Sequence, residues 1–282
     1  MKKISPVTGH YVDVEVQGET YEVFYLENGN GIPILCQHTA GAHNHQWRNF
    51  LRDPAITQHY RVIAYDLPYH GKSDPAKGKP WWKEEYKLTK AFFVQFIVAL
   101  AEALELDRPV YIGSSMGGVV ALYLAMEYPE RFRGIIALEA ADYTPGFYVD
   151  WWAHPHINDG ELAASVIDGL IAPQTNEQDR RSTMWYYSMA APGVLKGDLY
   201  FYSAEHDMRE TVSHIDASKV PLYLLTGEYD YLSTPAQSEA TATKIAGAKY
   251  QTMQKIGHFP HSENHETFMK YLGPILNEIG GY

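Results

Sequence analysis

The chain has 282 residues, a hydrophobic fraction of 45% and a formal net charge of -11, with 23 basic against 34 acidic residues. This length is sufficient for one large α/β domain or two small ones with a hydrophobic core. An acidic surface repels a phosphate backbone, so the composition argues against a nucleic-acid partner. The 22 tyrosines and 13 histidines indicate an aromatic-lined site that water can reach.

Alternating apolar and polar residues at 10–17 and 20–28 predict an antiparallel hairpin at the start of the chain. Beyond it, short apolar runs alternate with segments of helical periodicity. This alternation predicts an α/β fold with a mostly parallel sheet of eight strands and helices on both faces. The further strands are predicted at 32–37, 60–66, 109–114, 133–139, 220–227 and 248–256, the last of them at an edge. Helices are predicted at 88–106, 116–128, 234–246 and 262–279.

The interval between Glu139 and Lys219 breaks this alternation. It has helical pieces and turn clusters but no buried-strand pattern, and residues 140–218 contain twelve acidic and four basic residues. Such an insertion is typical of a lid above the carboxyl ends of the strands, where α/β sheets bind their ligands. We therefore expect a core of residues 1–139 and 219–282, with a helical cap at 140–218 after the sixth strand.

Three features bear on the cellular compartment. Cys36 is the single cysteine, so no intramolecular disulfide can form, and its apolar neighbours predict a core position. The N-terminus lacks the apolar run of a secretory signal. The most apolar segment, 91–104, contains Gln95 and Glu102 and is too short to span a bilayer. The sequence therefore predicts a cytoplasmic protein that binds no membrane.

The strongest chemical signal is a strand followed by a serine and then by a helix. Gly113 and Gly117 flank Ser115 in the pattern G-x-S-x-G, and Gly118 follows. A nucleophile needs such a tight turn, where the neighbours have no room for side chains and a helix N-terminus stabilises negative charge. Ser115 is therefore the predicted nucleophile, and the Met116 N–H is a predicted oxyanion donor.

A base and an acid are expected after the later strands. His258 follows the last predicted strand and Asp230 follows the strand before it, so the chain order is Ser115, Asp230, His258. His258 is expected to accept the serine proton, and Asp230 to fix the tautomer of His258. Glu139, at the end of the sixth strand, is an alternative acid, but the spacing from Gly227 to Asp230 favours Asp230.

With these residues in place, the chain resembles the α/β-hydrolase superfamily, in particular its serine esterase-like members with a lid. The family commonly has His-Gly-x-Pro after the third strand, followed by a Trp. This sequence has His38, Thr39, Ala40 and Gly41 there, with Trp47 beyond them. The resemblance implies the Ala40 N–H as the second oxyanion donor, and Thr39, which stands in place of the family's Gly, as the alternative donor.

Aromatic clusters in the cap predict an aromatic-lined pocket. The residues predicted to line it are His38, Trp151, Trp152, Trp185 and Tyr186. The pair Arg180-Arg181, the only basic cluster of the predicted cap, is either solvated or a binding site for a carboxylate.

Metal binding is not expected. His258, His261 and His265 imitate the spacing of a zinc site, but His258 already has a role and no acidic or thiol ligand completes the set. We therefore expect neither a metal nor a cofactor.

A serine nucleophile with a histidine–aspartate relay is suited to acyl transfer through an acyl-enzyme. Superfamily members that displace halide or open epoxides use an aspartate at this position, so the resemblance argues against both reactions. We expect a carboxylesterase-type serine hydrolase acting on small to medium, uncharged esters, as a monomer or a homodimer. Hydrolysis of a C–C bond in a β-diketone-type substrate, amide hydrolysis and a non-catalytic ligand receptor of the same fold are the alternatives.

Overall fold

The computed structural model describes residues 5–281. Its strands are β1 (Thr8–Val16), β2 (Glu19–Asn28), β3 (Ile32–Gln37), β4 (Tyr60–Tyr65), β5 (Val110–Ser114), β6 (Gly134–Leu138), β7 (Leu222–Gly227) and β8 (Lys249–Met253). They form one sheet in the order β1-β2-β4-β3-β5-β6-β7-β8. β2 pairs antiparallel with β1 and with β4, and all the other pairs are parallel. The predicted α/β fold with an eight-stranded, mostly parallel sheet is confirmed.

Burial along the strands explains the sequence patterns. β5 and β6 are buried at every position, because helices cover both faces of the central sheet. In β3, Leu35 packs in the hydrophobic cluster of one face, whereas Ile34 and Cys36 pack in that of the other face. Successive side chains of a strand point to opposite faces, so β3 contributes to both clusters. Cys36 is thus a core residue, as predicted.

The helices are α1 (Arg48–Arg52), α2 (Pro54–Thr57), α3 (Lys90–Ala103), α4 (Met116–Glu127), α5 (Asp159–Asp168), α6 (Glu177–Ser188), α7 (Val194–Tyr200), α8 (Pro235–Thr243), α9 (Pro260–Glu263) and α10 (His265–Gly280). All four predicted helices are present, with one difference. The segment predicted as a single helix at 262–279 consists of α9 and α10, because Asn264 between them is non-helical and caps α10 through the Thr267 N–H. None of the helices in residues 5–281 is long and apolar enough to cross a membrane.

The segment between β6 and β7 contains α5, α6 and α7 and no strand of the sheet. It is joined to the rest of the chain by backbone hydrogen bonds. The Leu88 N–H donates to the Gly197 carbonyl at 3.0 Å, and the His258 N–H donates to the Leu170 carbonyl at 3.0 Å. We call residues 140–218 the cap, and its exact boundaries stay a prediction.

Candidate active site

Ser115 lies at the sharp turn between β5 and α4. Its backbone has φ 56° and ψ -114°, a conformation that costs a non-glycine residue about 1–3 kcal/mol and is typical of functional sites. Two hydrogen bonds hold it: the Ser115 N–H donates to the Leu138 carbonyl at 2.9 Å, and the Val119 N–H donates to the Ser115 carbonyl at 2.8 Å. The turn places Ser115 on the wall of a cavity at the carboxyl end of the sheet.

The glycines around Ser115 are required by close backbone contacts. A Cβ atom at Gly113 would overlap the Gly117 carbonyl, and one at Gly118 would overlap the Leu138 carbonyl. At Gly117 a Cβ atom would lie 2.6 Å from Gln37 Cγ. The G-x-S-x-G-G pattern therefore reflects the packing of α4 against β3, β5 and β6.

His258 and Asp230 form a buried pair. The His258 Nδ1 lies 2.8 Å from Asp230 Oδ2, and the side chains are 3% and 0% exposed. The other carboxylate oxygen, Oδ1, accepts the N–H groups of Leu232 at 2.8 Å and Ser233 at 3.3 Å. Burial acts to raise the pKa of Asp230. The charge and hydrogen bond of His258, followed by hydrogen bonds with the Glu139 side chain and the Leu232 N–H, outweigh burial and hold the pKa below its usual value. Asp230 is therefore a carboxylate that faces His258 Nδ1.

Glu139 has a different environment, although it lies close to the same pair. Both of its carboxyl oxygens accept the Gly227 N–H, at 3.0 and 3.2 Å, and its side chain is buried. Burial, followed by the charge of Asp230, raises the pKa of Glu139 well above its usual value. Burial and the neighbouring charge therefore favour the protonated form of Glu139. The charged partner of His258 is Asp230.

The backbone N–H groups of Ala40, which lines the cavity, and of Met116, which follows Ser115, have no acceptor in the described part of the chain. Met116 is the first residue of α4, where N–H groups find no partner within the helix. The alternative donor Thr39 is already engaged, because its N–H donates to Gln46 Oε1 at 3.0 Å and its hydroxyl contacts the Tyr187 hydroxyl. The pair of free N–H groups beside Ser115 thus comprises Ala40 and Met116.

The cavity above Ser115 has a volume of about 230 Å³. Its walls combine the core and the cap, and most of the lining is apolar. The lining residues are Thr39, Ala40, Ser115, Gly146, Phe147, Val149, Trp151, Trp152, Val166, Ile167, Leu170, Tyr187, Leu195, Leu199, Tyr202, Tyr231, Leu232 and His258. No lysine or arginine is among these described residues.

The structure brings only part of the predicted pocket together. Trp151 and Trp152 line the cavity, whereas Trp185 is 60% exposed and Tyr186 packs its ring on His43 at a centroid distance of 5.6 Å. His38 lies beneath the cavity wall, where its Nδ1 donates to the Thr39 carbonyl at 2.8 Å and its Nε2 accepts the Leu67 N–H at 3.2 Å. These three residues therefore do not line the pocket.

Two tyrosines on the cavity wall were not among the predicted site residues. Tyr187 follows Trp185 and Tyr186 directly, and the Tyr202 hydroxyl lies 3.2 Å from Ser233 Oγ. Burial raises the pKa of both tyrosines above its usual value, so both remain protonated. In the sequence, the aromatic clusters at 185–187 and 200–202 were the features that pointed to these two tyrosines. The cluster alone does not show which member faces the cavity.

The basic and metal-like motifs have other partners. Arg180 pairs with Asp168 at 2.6 Å and Arg181 with Glu177 at 2.7 Å, so neither forms a carboxylate site in the cavity. His261 stacks on Trp47 with a centroid distance of 4.2 Å, and His265 Nε2 lies 2.9 Å from Asp53 Oδ2. In residues 5–281, the group of side chains that could hold a metal ion consists of Glu139, Asp230 and His258, with one potential ligand atom of each lying within 4.8 Å of the others. The expectation that the protein uses no metal stays a prediction.

Comparison with known proteins bears on the fold and the reaction class. Residues 32–265 match the family model described as alpha/beta hydrolase fold. The chain is 24% identical over 263 residues to 2-hydroxymuconate semialdehyde hydrolase of Pseudomonas sp. strain CF600, covering 89% of each chain. It is 26% identical over 258 residues to 2-hydroxy-6-oxo-2,4-heptadienoate hydrolase of Pseudomonas putida, covering 88% of this chain and 90% of the relative.

A solved structure supports the same assignment at the level of the fold. The enol-lactonase of Burkholderia xenovorans LB400 superposes with a TM-score of 0.80 and 22% identity, covering 95% of this chain and 100% of the enol-lactonase chain. The family match spans most of the eight-stranded core and contains Ser115, Asp230 and His258. The chain therefore belongs to the α/β-hydrolase fold family and is a hydrolase.

Proposed function

We propose that this protein is a serine hydrolase that cleaves small, uncharged carboxylic esters through an acyl-enzyme. The observation that carries the proposal is the combination of a serine on a strained turn, a buried histidine–aspartate pair and two free N–H groups around one cavity. Each of these parts serves a separate step of acyl transfer.

In the proposed reaction, Ser115 Oγ attacks the ester carbonyl carbon while His258 Nε2 accepts the hydroxyl proton. The electron pair of the C=O bond moves to oxygen, which receives the N–H groups of Ala40 and Met116. Collapse of this intermediate breaks the C–O bond, and the leaving alcohol takes the proton from His258. Water then repeats the sequence on the acyl-enzyme, releasing the acid and Ser115. Asp230 keeps the proton of neutral His258 on Nδ1, so that Nε2 is free to act as the base.

The cavity supports the uncharged substrate class. No lysine or arginine lines it within residues 5–281, so a carboxylate brought inside would be desolvated with no lysine or arginine of this part of the chain to pair with. Its volume of about 230 Å³ lies below the range of about 300–1,000 Å³ typical of pockets for drug-sized ligands. Small esters with apolar acyl or alcohol groups therefore fit best.

A second candidate is hydrolysis of a C–C bond. The named activities of the two Pseudomonas relatives favour it, because the compounds in both names have a carbonyl group but no ester or amide bond, so that their hydrolysis breaks a C–C bond. The absence of a cation from the described lining argues against it. Comparison of a p-nitrophenyl ester, a neutral β-diketone and a 2-hydroxy-6-oxo-dienoate as substrates separates the two candidates.

The test of the serine mechanism is Ser115→Ala, with Ser114→Ala as the matched control. Ser114 is the preceding residue, and its buried hydroxyl has no partner among the described residues, so its removal leaves the site intact. On p-nitrophenyl butyrate we expect kcat to fall by about 10⁶-fold in Ser115→Ala and to stay within about twofold in Ser114→Ala. Retention of turnover by folded Ser115→Ala would overturn the proposal. Fast cleavage of the dienoate with no ester turnover would favour the second candidate.

A further inference from the structure

A buried ion pair joins the cap to the core beside the loop that contains Ala40. The Asp198 Oδ2 lies 2.8 Å from His70 Nε2, and the two side chains are 0% and 1% exposed. The same oxygen accepts the Gly41 N–H at 2.7 Å, and Oδ1 accepts the Tyr86 hydroxyl at 3.0 Å. One carboxylate of α7 is thus bound by three donors from the core.

The contacts of His70 indicate that its ring is charged. The Nδ1 lies 2.9 Å from the Pro68 carbonyl, and the Nε2 faces the Asp198 carboxylate. Both partners are acceptors, so both ring nitrogens hold hydrogen, and the distance to Asp198 is typical of a charge-assisted hydrogen bond. Burial acts to lower the pKa of His70, but Asp198 outweighs it and raises the pKa above its usual value.

Asp198 acts on the backbone next to the free Ala40 N–H. On one side of Ala40, the Thr39 carbonyl accepts the Ala42 N–H at 3.2 Å and contacts His38 Nδ1, so the peptide that contains the Ala40 N–H is restrained from this side only. On the other side, the Gly41 N–H donates to Asp198 Oδ2, its acceptor within residues 5–281. Gly41 has φ 68°, and a Cβ atom there would lie 2.9 Å from Leu195 of α7. The loop is therefore shaped to receive α7.

We propose that Asp198 is a positioning residue for the oxyanion hole: it holds the Ala40–Gly41 peptide in place when α7 is docked, and His70 is its counter-charge. This inference rests on the proposed function, because it assigns the Ala40 N–H to the developing oxyanion. It makes the cap part of the catalytic machinery as well as a wall of the cavity. Undocking of α7 releases one side of the oxyanion loop, and the donor then loses its alignment.

The kinetic test is Asp198→Asn. The uncharged side chain has one acceptor for the donors of Gly41, His70 and Tyr86, and its amide group faces one of these donors. Because misplacement of a catalytic group by about 1 Å costs about 10²-fold in rate, we expect kcat on p-nitrophenyl butyrate to fall about 10- to 100-fold. KM is expected to change by less than about threefold, since the apolar lining is retained.

The matched control is Asp159→Asn. Asp159 is also a cap aspartate, and its Oδ2 also accepts a glycine N–H, that of Gly193 at 3.0 Å, but both residues belong to the cap. We expect its kcat to equal that of the wild type. An unchanged kcat in Asp198→Asn, a change confined to KM, or an equal loss in Asp159→Asn would each overturn the proposal.

A second readout is the protonation of His70, which does not depend on turnover. The titratable groups that face His70 are Asp198 from α7, Asp66 after β4, Tyr86, and the neighbouring histidines His38 and His43. In ¹⁵N-histidine NMR spectra, the signal that is lost in His70→Gln is expected to be that of an imidazolium at neutral pH, and to become neutral in Asp198→Asn. A neutral His70 in the wild type would overturn the ion pair. This readout holds even if Ser115→Ala shows that the proposed function is wrong.

Discussion

The assignment of Asp230, and not Glu139, as the partner of His258 leads to a sharp prediction for Asp230→Asn. The hydrogen bonds of Asp230 fix how the asparagine must sit. Because Oδ1 accepts the N–H groups of Leu232 and Ser233, the asparagine carbonyl occupies that position and its NH₂ group faces His258 Nδ1. The histidine proton then moves to Nε2, and the ring can no longer accept the proton of Ser115.

The expected loss follows from this change of tautomer. A wrong tautomer with intact geometry costs about 10⁴-fold in kcat, which corresponds to about 5 kcal/mol of transition-state stabilisation. Both side chains are at most 3% exposed, so water cannot take over the role of the carboxylate. We expect this loss in kcat on p-nitrophenyl butyrate, with KM nearly unchanged.

Glu139→Gln is the matched control. Burial and the charge of Asp230 raise the pKa of Glu139 and favour its protonated form. Glutamine matches that form in charge and nearly in shape, and its oxygen can still accept the Gly227 N–H. We expect its kcat to stay within about threefold of the wild type. A loss in Asp230→Asn of less than tenfold, or an equal loss in Glu139→Gln, would refute the assignment of the acid.

Three further predictions concern stability and the cavity. Burial raises the pKa of Glu263 to about 7 from 4.5, so the folded protein keeps a proton that the unfolded chain releases. The free energy of unfolding should therefore fall by about 3 kcal/mol between pH 4.5 and 7. Urea unfolding of Glu263→Gln should lack this fall. Gly118→Ala should unfold the protein or lower its free energy of unfolding by at least about 3 kcal/mol, because the new Cβ atom overlaps the Leu138 carbonyl. Gly273 of α10 has open space around it, so Gly273→Ala should stabilise the protein by about 0.5–1 kcal/mol. Equal melting temperatures of the two variants would contradict this contrast. Trp152→Ala removes part of the cavity wall, so the ratio of kcat/KM for p-nitrophenyl octanoate to that for p-nitrophenyl butyrate should rise. An unchanged ratio would mean that the acyl group binds elsewhere.

The sheet and the nucleophile turn could be predicted because their determinants are local. Strands buried on both faces require unbroken apolar runs, and the tight turn at Ser115 requires glycines at fixed positions. The positions of Asp230 and His258 followed from the rule that the carboxyl ends of parallel strands meet at one edge. By contrast, α1 and α2 have only five and four residues, too few to show a helical period.

The pocket was harder to predict because it depends on the rotation of one helix. Trp185, Tyr186 and Tyr187 are consecutive on α6, where each residue turns by about 100°. Packing of α6 on the core turns Tyr187 toward Ser115 and leaves Trp185 in solvent. No pattern within three adjacent aromatic residues fixes that rotation. The Asp198–His70 pair could not be predicted from the sequence either, because the two residues are 128 positions apart.

The attachment of the cap also determines how a substrate reaches Ser115. The Leu170 carbonyl holds the backbone of His258 itself, and Glu263 holds the Ala172 N–H at 2.8 Å. Movement of the whole cap away from the core would therefore displace the backbone of His258. Trp151 and Tyr231 line the cavity and are 45% and 58% exposed. We therefore expect substrate and product to pass beside these exposed rings, whose side-chain rotation is far faster than the movement of a domain.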